Sequence, residues 1–173
     1  MAIIKKLRGH DPRIGVDCYL AETAVIIGEV SMGKECSIWF NAVLRGDVNS
    51  IVLGNKVNVQ DNATIHCTYQ KSKTVIGNNV SIGHNAIVHG CTVEDNVLIG
   101  MGAIIMDHCY IGQNSIVAAG AVLTQGTIVE PGSIYAGVPA RKLKAVSPEL
   151  RSGEIQRVAQ NYRQYASWYQ KEG

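Results

Sequence analysis

Apolar residues recur every six positions through most of the chain, as Val93, Ile99, Ile105, Ile111, Val117, Leu123, Val129 and Tyr135 show. Upstream the ladder reads Ile27, Gly33, Trp39, Arg45, Leu53, Val59, Ile65, Ile76, Ile82 and Val88. It breaks at two extra residues between Arg45 and Leu53, five between Ile65 and Ile76, and one missing between Val88 and Val93. A hexad is too short for a strand–helix unit and has neither a 3.6 nor a heptad period. It predicts short strands parted by turns, stacked coil on coil into an all-β solenoid, a parallel β-helix whose coils are not stable singly. The corners carry Gly77-Asn78-Asn79 and Glu94-Asp95-Asn96, residue types that tolerate left-handed backbone angles. The lead aliphatics fill the prism, and small residues such as Ala103, Ala118 and Ala121 suit its corners. After Leu143 the hexads stop. Ser147-Pro148-Glu149 reads as an N-cap, a proline in the first turn and a favourable early charge. Ile155, Val158, Ala159, Tyr162, Tyr165, Ala166 and Tyr169 then trace one helical stripe. The expected organisation is a β-helix over 1–146 and a C-terminal helix over 147–173 packed on its side.

The hexads resemble those of left-handed β-helix proteins, which implies a triangular prism with three hexads per coil and coils about 4.8 Å apart. On that frame three histidines acquire positions. His66 follows Ile65 and His89 follows Val88, one full coil apart, so the two sit side by side on one corner. His84 lies two residues past Ile82 and belongs to another face. One chain therefore offers two of the three to a common point, and a second chain must bring its His84. The counting predicts a metal site between subunits, most simply in a homotrimer. A hydrogen-bonded surface ladder is the competing account of the pair. His10 and His108 read as structural or solvent-facing.

Other chemistry lies close by. Arg45 occupies a lead position, where an inward guanidinium needs a carboxylate partner; Asp47 and Asp61 are at hand. An ion pair that only holds subunits together explains Arg45 and Asp47 equally well. The set Arg45-Gly46-Asp47, Gln60-Asp61-Asn62, His66 and Gly83-His84-Asn85-Ala86-Ile87-Val88-His89-Gly90 closely resembles the γ-class carbonic anhydrase-like proteins, from about Ile14 to Leu143. The resemblance implies that His66, His84 and His89 bind zinc, with iron or cobalt as alternatives, across a trimer interface. It further implies a metal-bound hydroxide that attacks carbon dioxide to give bicarbonate. Gln60 would orient the reactants, and Arg45, Asp47 and Asp61 would organise the interface and support the ligands. Tyr135 is a further pocket residue or a core residue closing a coil. The chain departs from the best-characterised active members at two places where those carry glutamates for moving protons: Val48 stands after Asp47, and the loop Cys67-Thr68-Tyr69-Gln70-Lys71-Ser72-Lys73 has no carboxylate.

Composition narrows the field without redirecting it. A chain of 173 residues, 46% apolar with a formal charge of +2, suits one core and shows no bias towards nucleic acid. No segment has transmembrane length, and the first residues lack a signal-peptide core, so a cytoplasmic location is expected. The five cysteines include no C-x-x-C pair. Cys91 and Cys109 fall one coil apart and read as stacked buried thiols, and Cys67, adjacent to His66, should point away from it. Three functions compete: the metal-dependent hydrase; an acetyl-coenzyme A-dependent acyltransferase or metal-assisted acyl-coenzyme A thioesterase; and a scaffold in which zinc merely staples a trimer.

Overall fold

The computed structural model describes residues 1–172, so Gly173 of the expected helix span lies outside the described residues. A left-handed parallel β-helix of about seven coils occupies most of the chain. Its coils close on an antiparallel pair, Ser133–Gly137 with Ala140–Ala145. One wall stacks Leu44, Ile65, Val88, Ile105 and Leu123 in register. The second stacks Leu53, Ile76, Val93, Ile111 and Val129. The third runs from Leu20 and Ile38 through Val59, Ile82, Ile99 and Val117 to Tyr135. Most of these side chains are fully buried. Each contributes about 1.5–3 kcal/mol of apolar transfer, which is what offsets the entropy of so many short strands.

Upstream of Leu53 the inward frame is one residue earlier than the hexad count gives. The buried series is Ile26, Met32, Ile38 and Leu44, whereas Arg45 is exposed at 44% of its side chain. Arg45 is therefore not a buried guanidinium, and three residues rather than two are inserted before Leu53. The frames were confusable because outward positions here are apolar too. Trp39 is buried against aromatic residues outside the prism, and a slip of one residue exchanges inside for outside. The insertion sits in the long strand Val43–Leu53, which bends around the corner between the first two walls beside Val25–Met32.

A second corner, between the third wall and the first, repeats one design. Asn41, Asn62, Asn85, Gly102 and Gly120 adopt φ between 58° and 67°. Each precedes a fully buried alanine: Ala42, Ala63, Ala86, Ala103 and Ala121. The left-handed residue turns the chain, and the alanine fits where the walls converge. Asp61 and His84 come immediately before this turn on successive coils.

The C-terminal helix starts at Ser147, whose Oγ accepts the Leu150 N–H at 3.3 Å, and runs from Pro148 to Glu172. Residues 151–156 are wound in the wider i→i+5 pattern. Ile155, Ala159 and Ala166 are buried, and Tyr162 and Tyr165 join Tyr19, Ala21 and Trp39 in an aromatic layer on the prism. No described helix is long and apolar enough to cross a membrane. Cys91 and Cys109 are buried free thiols on adjacent coils, and the Cys67 thiol is buried towards Ser50 and Thr74. His10 and His108 are exposed.

Candidate metal centre

The ladder places His66 and His89 opposite one another on adjacent strands. His66 Nδ1 and His89 Nε2 are 3.1 Å apart. The outer nitrogens are taken by carboxylates: His66 Nε2 donates to Asp47 at 2.8 Å, and His89 Nδ1 to Asp107 at 2.9 Å. Arg45 is within 2.5 Å of the other Asp47 oxygen. Burial pushes the Asp47 carboxyl upward, but hydrogen bonds from His66 and Arg45 outweigh it and hold the group below the usual carboxylate range. Asp107 behaves alike, burial being outweighed by the hydroxyls of Ser72 and Thr68 and by His89. Both carboxylates are thus acceptors only, and each fixes a proton on the outer nitrogen of its imidazole.

Two neutral imidazoles so arranged present their remaining lone pairs to each other across 3.1 Å. That juxtaposition is repulsive unless a cation or a shared proton sits at it. Two nitrogens at about 2.05 Å from a tetrahedral zinc lie about 3.3 Å apart. The donor set and spacing therefore fit a metal ion after only a small adjustment.

His84 stands on the other corner, with Asp61 directly below it. Its Nδ1 lies 2.8 Å from an Asp61 oxygen, and its Nε2 lies 3.2 Å from the Tyr162 hydroxyl. Gln60 is buried beneath: its Oε1 accepts the His84 backbone N–H at 3.2 Å, and its Nε2 donates to Asn58 at 3.0 Å. The fold thus assembles Arg45, Asp47, His66 and His89 in one group and Gln60, Asp61 and His84 in another. Among the described residues, no three His, Cys, Asp or Glu side chains of one chain converge around a common point. Tyr135 joins neither group. It is a core residue stacked on Val117, its hydroxyl donating to the Ile128 carbonyl at 3.2 Å. Three coil spacings, about 14 Å, separate it from Ile82 of its own chain.

Two residues at these groups were not singled out by sequence. Asp107 lies directly after a hexad's exposed second position, with no pattern to mark it, and Tyr162 was legible only as part of the helix stripe. Tyr162 and His84 also line a cleft of about 360 Å³ between the helix and the third wall.

Known proteins divide along similar lines. Residues 90–125 match the family model described as bacterial transferase hexapeptide (six repeats), and residues 73–106 that of the hexapeptide repeat of succinyl-transferase. A carbonic anhydrase of Geobacillus kaustophilus is 38% identical over 96% of this chain and 91% of its own length. Gamma carbonic anhydrase 2, a mitochondrial protein of Arabidopsis thaliana, is 38% identical over 89% of this chain and 56% of its own. The chain belongs to the γ-class carbonic anhydrase-like family. A solved hexapeptide transferase family protein from Anaplasma phagocytophilum superposes with a TM-score of 0.92 at 40% identity, covering 96% of this chain and 98% of that one. The family's name and its structural neighbours' names thus point to two chemistries on one prism, and the side chains described above have to decide between them. In this γ-class chain Val48 is partly buried against the core. The 67–73 loop directs two hydroxyls, Thr68 and Ser72, at Asp107.

Proposed function

We propose that this protein hydrates carbon dioxide reversibly at a metal centre shared between the subunits of a homotrimer. Zinc, or iron or cobalt in its place, would be held by His66 and His89 of one chain and by His84 of the partner subunit. The observation that carries this reading is the pair of imidazole lone pairs aimed at each other across 3.1 Å, each ring's outer nitrogen being held by a carboxylate. Neutral nitrogen donors leave the ion's charge undiminished, and such an ion makes a water molecule nucleophilic near neutral pH. His84 supports the third place in the donor set: its Nδ1 faces Asp61, so Nε2, now met by the Tyr162 hydroxyl, is the nitrogen left to coordinate.

The protein's own groups have separable tasks. Asp47 and Asp61 hold ring orientation, and Arg45 keeps Asp47 ionised and in place. Gln60 fixes the backbone at His84, and it also borders the cleft by which a small molecule reaches that histidine. Hydration releases one proton per bicarbonate, and neither Val48 nor the 67–73 loop offers a carboxylate to carry it away. Turnover is therefore expected to rise with imidazole-type buffer, because proton export limits a fast hydration step. Stopped-flow hydration on metal-analysed protein tests this. Buffer-dependent turnover that disappears in His89→Ala supports the reading, and no turnover with a full complement of metal refutes it.

One observation favours a second reading, a metal-assisted acyl-coenzyme A thioesterase or an acetyl-coenzyme A-dependent acyltransferase. The cleft beside His84, about 360 Å³, is many times the size of carbon dioxide and falls in the range of small-molecule sites. Gln60, His84, Tyr162 and Glu154 supply its polar groups, against apolar Ile116 and Val158. If it takes an acyl group, kcat/KM on 4-nitrophenyl esters rises about fourfold per added methylene from acetate to octanoate. A flat profile leaves the hydrase as the better account.

A further inference from the structure

The five residues inserted between Ile65 and Ile76 interrupt the hexads and carry no carboxylate, yet they are tied to the candidate centre through Asp107. Thr68 donates its hydroxyl to Asp107 Oδ1 at 2.9 Å, and Ser72 makes a short hydrogen bond to the same oxygen. Ser72 Oγ also accepts the Thr68 N–H at 3.0 Å, closing the loop on itself. The remaining oxygen, Oδ2, takes His89 Nδ1. Gly90, with φ 54°, lies under this contact, and a Cβ there would overlap both Ser72 Oγ and Asp107 Oδ1. The absence of a side chain at Gly90 is what lets the carboxylate and the loop hydroxyl meet.

We propose that Asp107, clamped by Thr68 and Ser72 of the 67–73 loop, is a positioning residue that fixes the proton of His89 on Nδ1 and so keeps Nε2 free to bind the metal. The inference rests on the metal-centre reading and extends it to a residue and a loop outside the three histidines. An imidazole has two tautomers of similar energy, and only one leaves Nε2 with its lone pair. An acceptor fixed behind Nδ1 selects that tautomer and also sets the ring's rotation. Asp107 is suited to this because both of its oxygens are engaged, one by hydroxyls and one by the ring. A freely rotating carboxylate would hold neither tautomer nor angle. The loop thus has a task unlike proton transport: it holds still the carboxylate behind one ligand.

Three variants test the proposal, with zinc affinity measured by chelator competition on the full-length protein. Asp107→Ala is expected to bind zinc 10- to 100-fold more weakly than wild type. The double variant Thr68→Val, Ser72→Ala shifts affinity in the same direction by less, with Asp107 still present and the fold less disturbed. Nitrogen-15 histidine spectra of the zinc-free protein supply a readout that a merely structural role would not move. Wild type shows His89 protonated on Nδ1, and Asp107→Ala shows a mixture of tautomers. Unchanged tautomer and zinc affinity within twofold of wild type, in either variant, overturn the proposal. His89→Ala is the control on the underlying reading: if it binds zinc as wild type does, the metal centre itself is refuted, and the role of Asp107 falls with it.

Discussion

Mixing His84→Ala subunits with His89→Ala subunits is expected to restore metal binding and carbon dioxide hydration that neither variant should have alone. Each variant by itself would remove a ligand from every proposed site, so zinc content and turnover are expected to fall to background. A centre built from two chains behaves differently on mixing. An interface is intact when the chain supplying His66 and His89 is the His84→Ala variant and its neighbour is the His89→Ala variant. Random assembly makes that one pairing in four, so about a quarter of the sites return. The structural ground is that His66 and His89 share one corner while His84 stands on another beside Asp61. Metal analysis after unfolding the two variants together and refolding them reads the outcome. Recovery near a quarter supports the shared site; mixed trimers, demonstrated by native mass spectrometry, that recover nothing are incompatible with it.

Trp39→Ala is expected to cost about 3–5 kcal/mol of stability, the range for truncating a large buried aromatic. Trp39 is 5% exposed, and its ring centroid lies 5.1 Å from that of Tyr19 and 5.3 Å from that of Tyr162. Its indole N–H donates to Ser37 Oγ at 3.0 Å, so the substitution also strands a buried hydroxyl. The loss falls on the contact between prism and helix, because this aromatic layer joins them. Tyr162 then loses its backing, and with it the contact to His84 Nε2. Equilibrium urea unfolding checks the magnitude, and a change below about 1 kcal/mol means the helix is not held by this layer. The effect should be larger than that of truncating an exposed wall residue such as Ile128, which is 67% exposed.

The acyl and hydrase readings are not alternatives in every respect. Both use the same prism and both can draw on His84, which lies at once in the candidate donor set and in the wall of the cleft. What separates them is chain-length dependence against buffer dependence, two measurements that do not interfere. The scaffold reading separates on a third axis, since a zinc staple predicts dissociation on metal removal without turnover in any buffer.

From Leu53 onward every lead position of the hexads is inward and buried, although flanking outward positions such as Ile87, Ile104 and Ile128 are apolar too. The hexads also gave the adjacent placement of His66 and His89, since a fixed strand period converts sequence separation directly into stacking. Upstream the same count slipped by one residue. There Trp39 is apolar for a reason the period cannot express, namely that a helix more than 100 residues later covers it. The slip turned Arg45 inward on paper, whereas the structure exposes it and pairs it with Asp47. Of the two accounts of Tyr135, the structure shows the core residue closing a coil, its hydroxyl donating to a backbone carbonyl.

The sequence by itself determined the solenoid, its three walls over most of their length, the capped C-terminal helix and the three histidines, because each is written in short-range periodicity or residue chemistry. Only the tertiary structure decided which carboxylate stands behind which imidazole, that Asp107 and the 67–73 loop lie behind His89, and that Tyr162 reaches His84. Those contacts join residues 18, 35, 39 and 78 positions apart. Their geometry depends on the bends and insertions that displace side chains from the regular ladder, and a local period carries no record of such displacements.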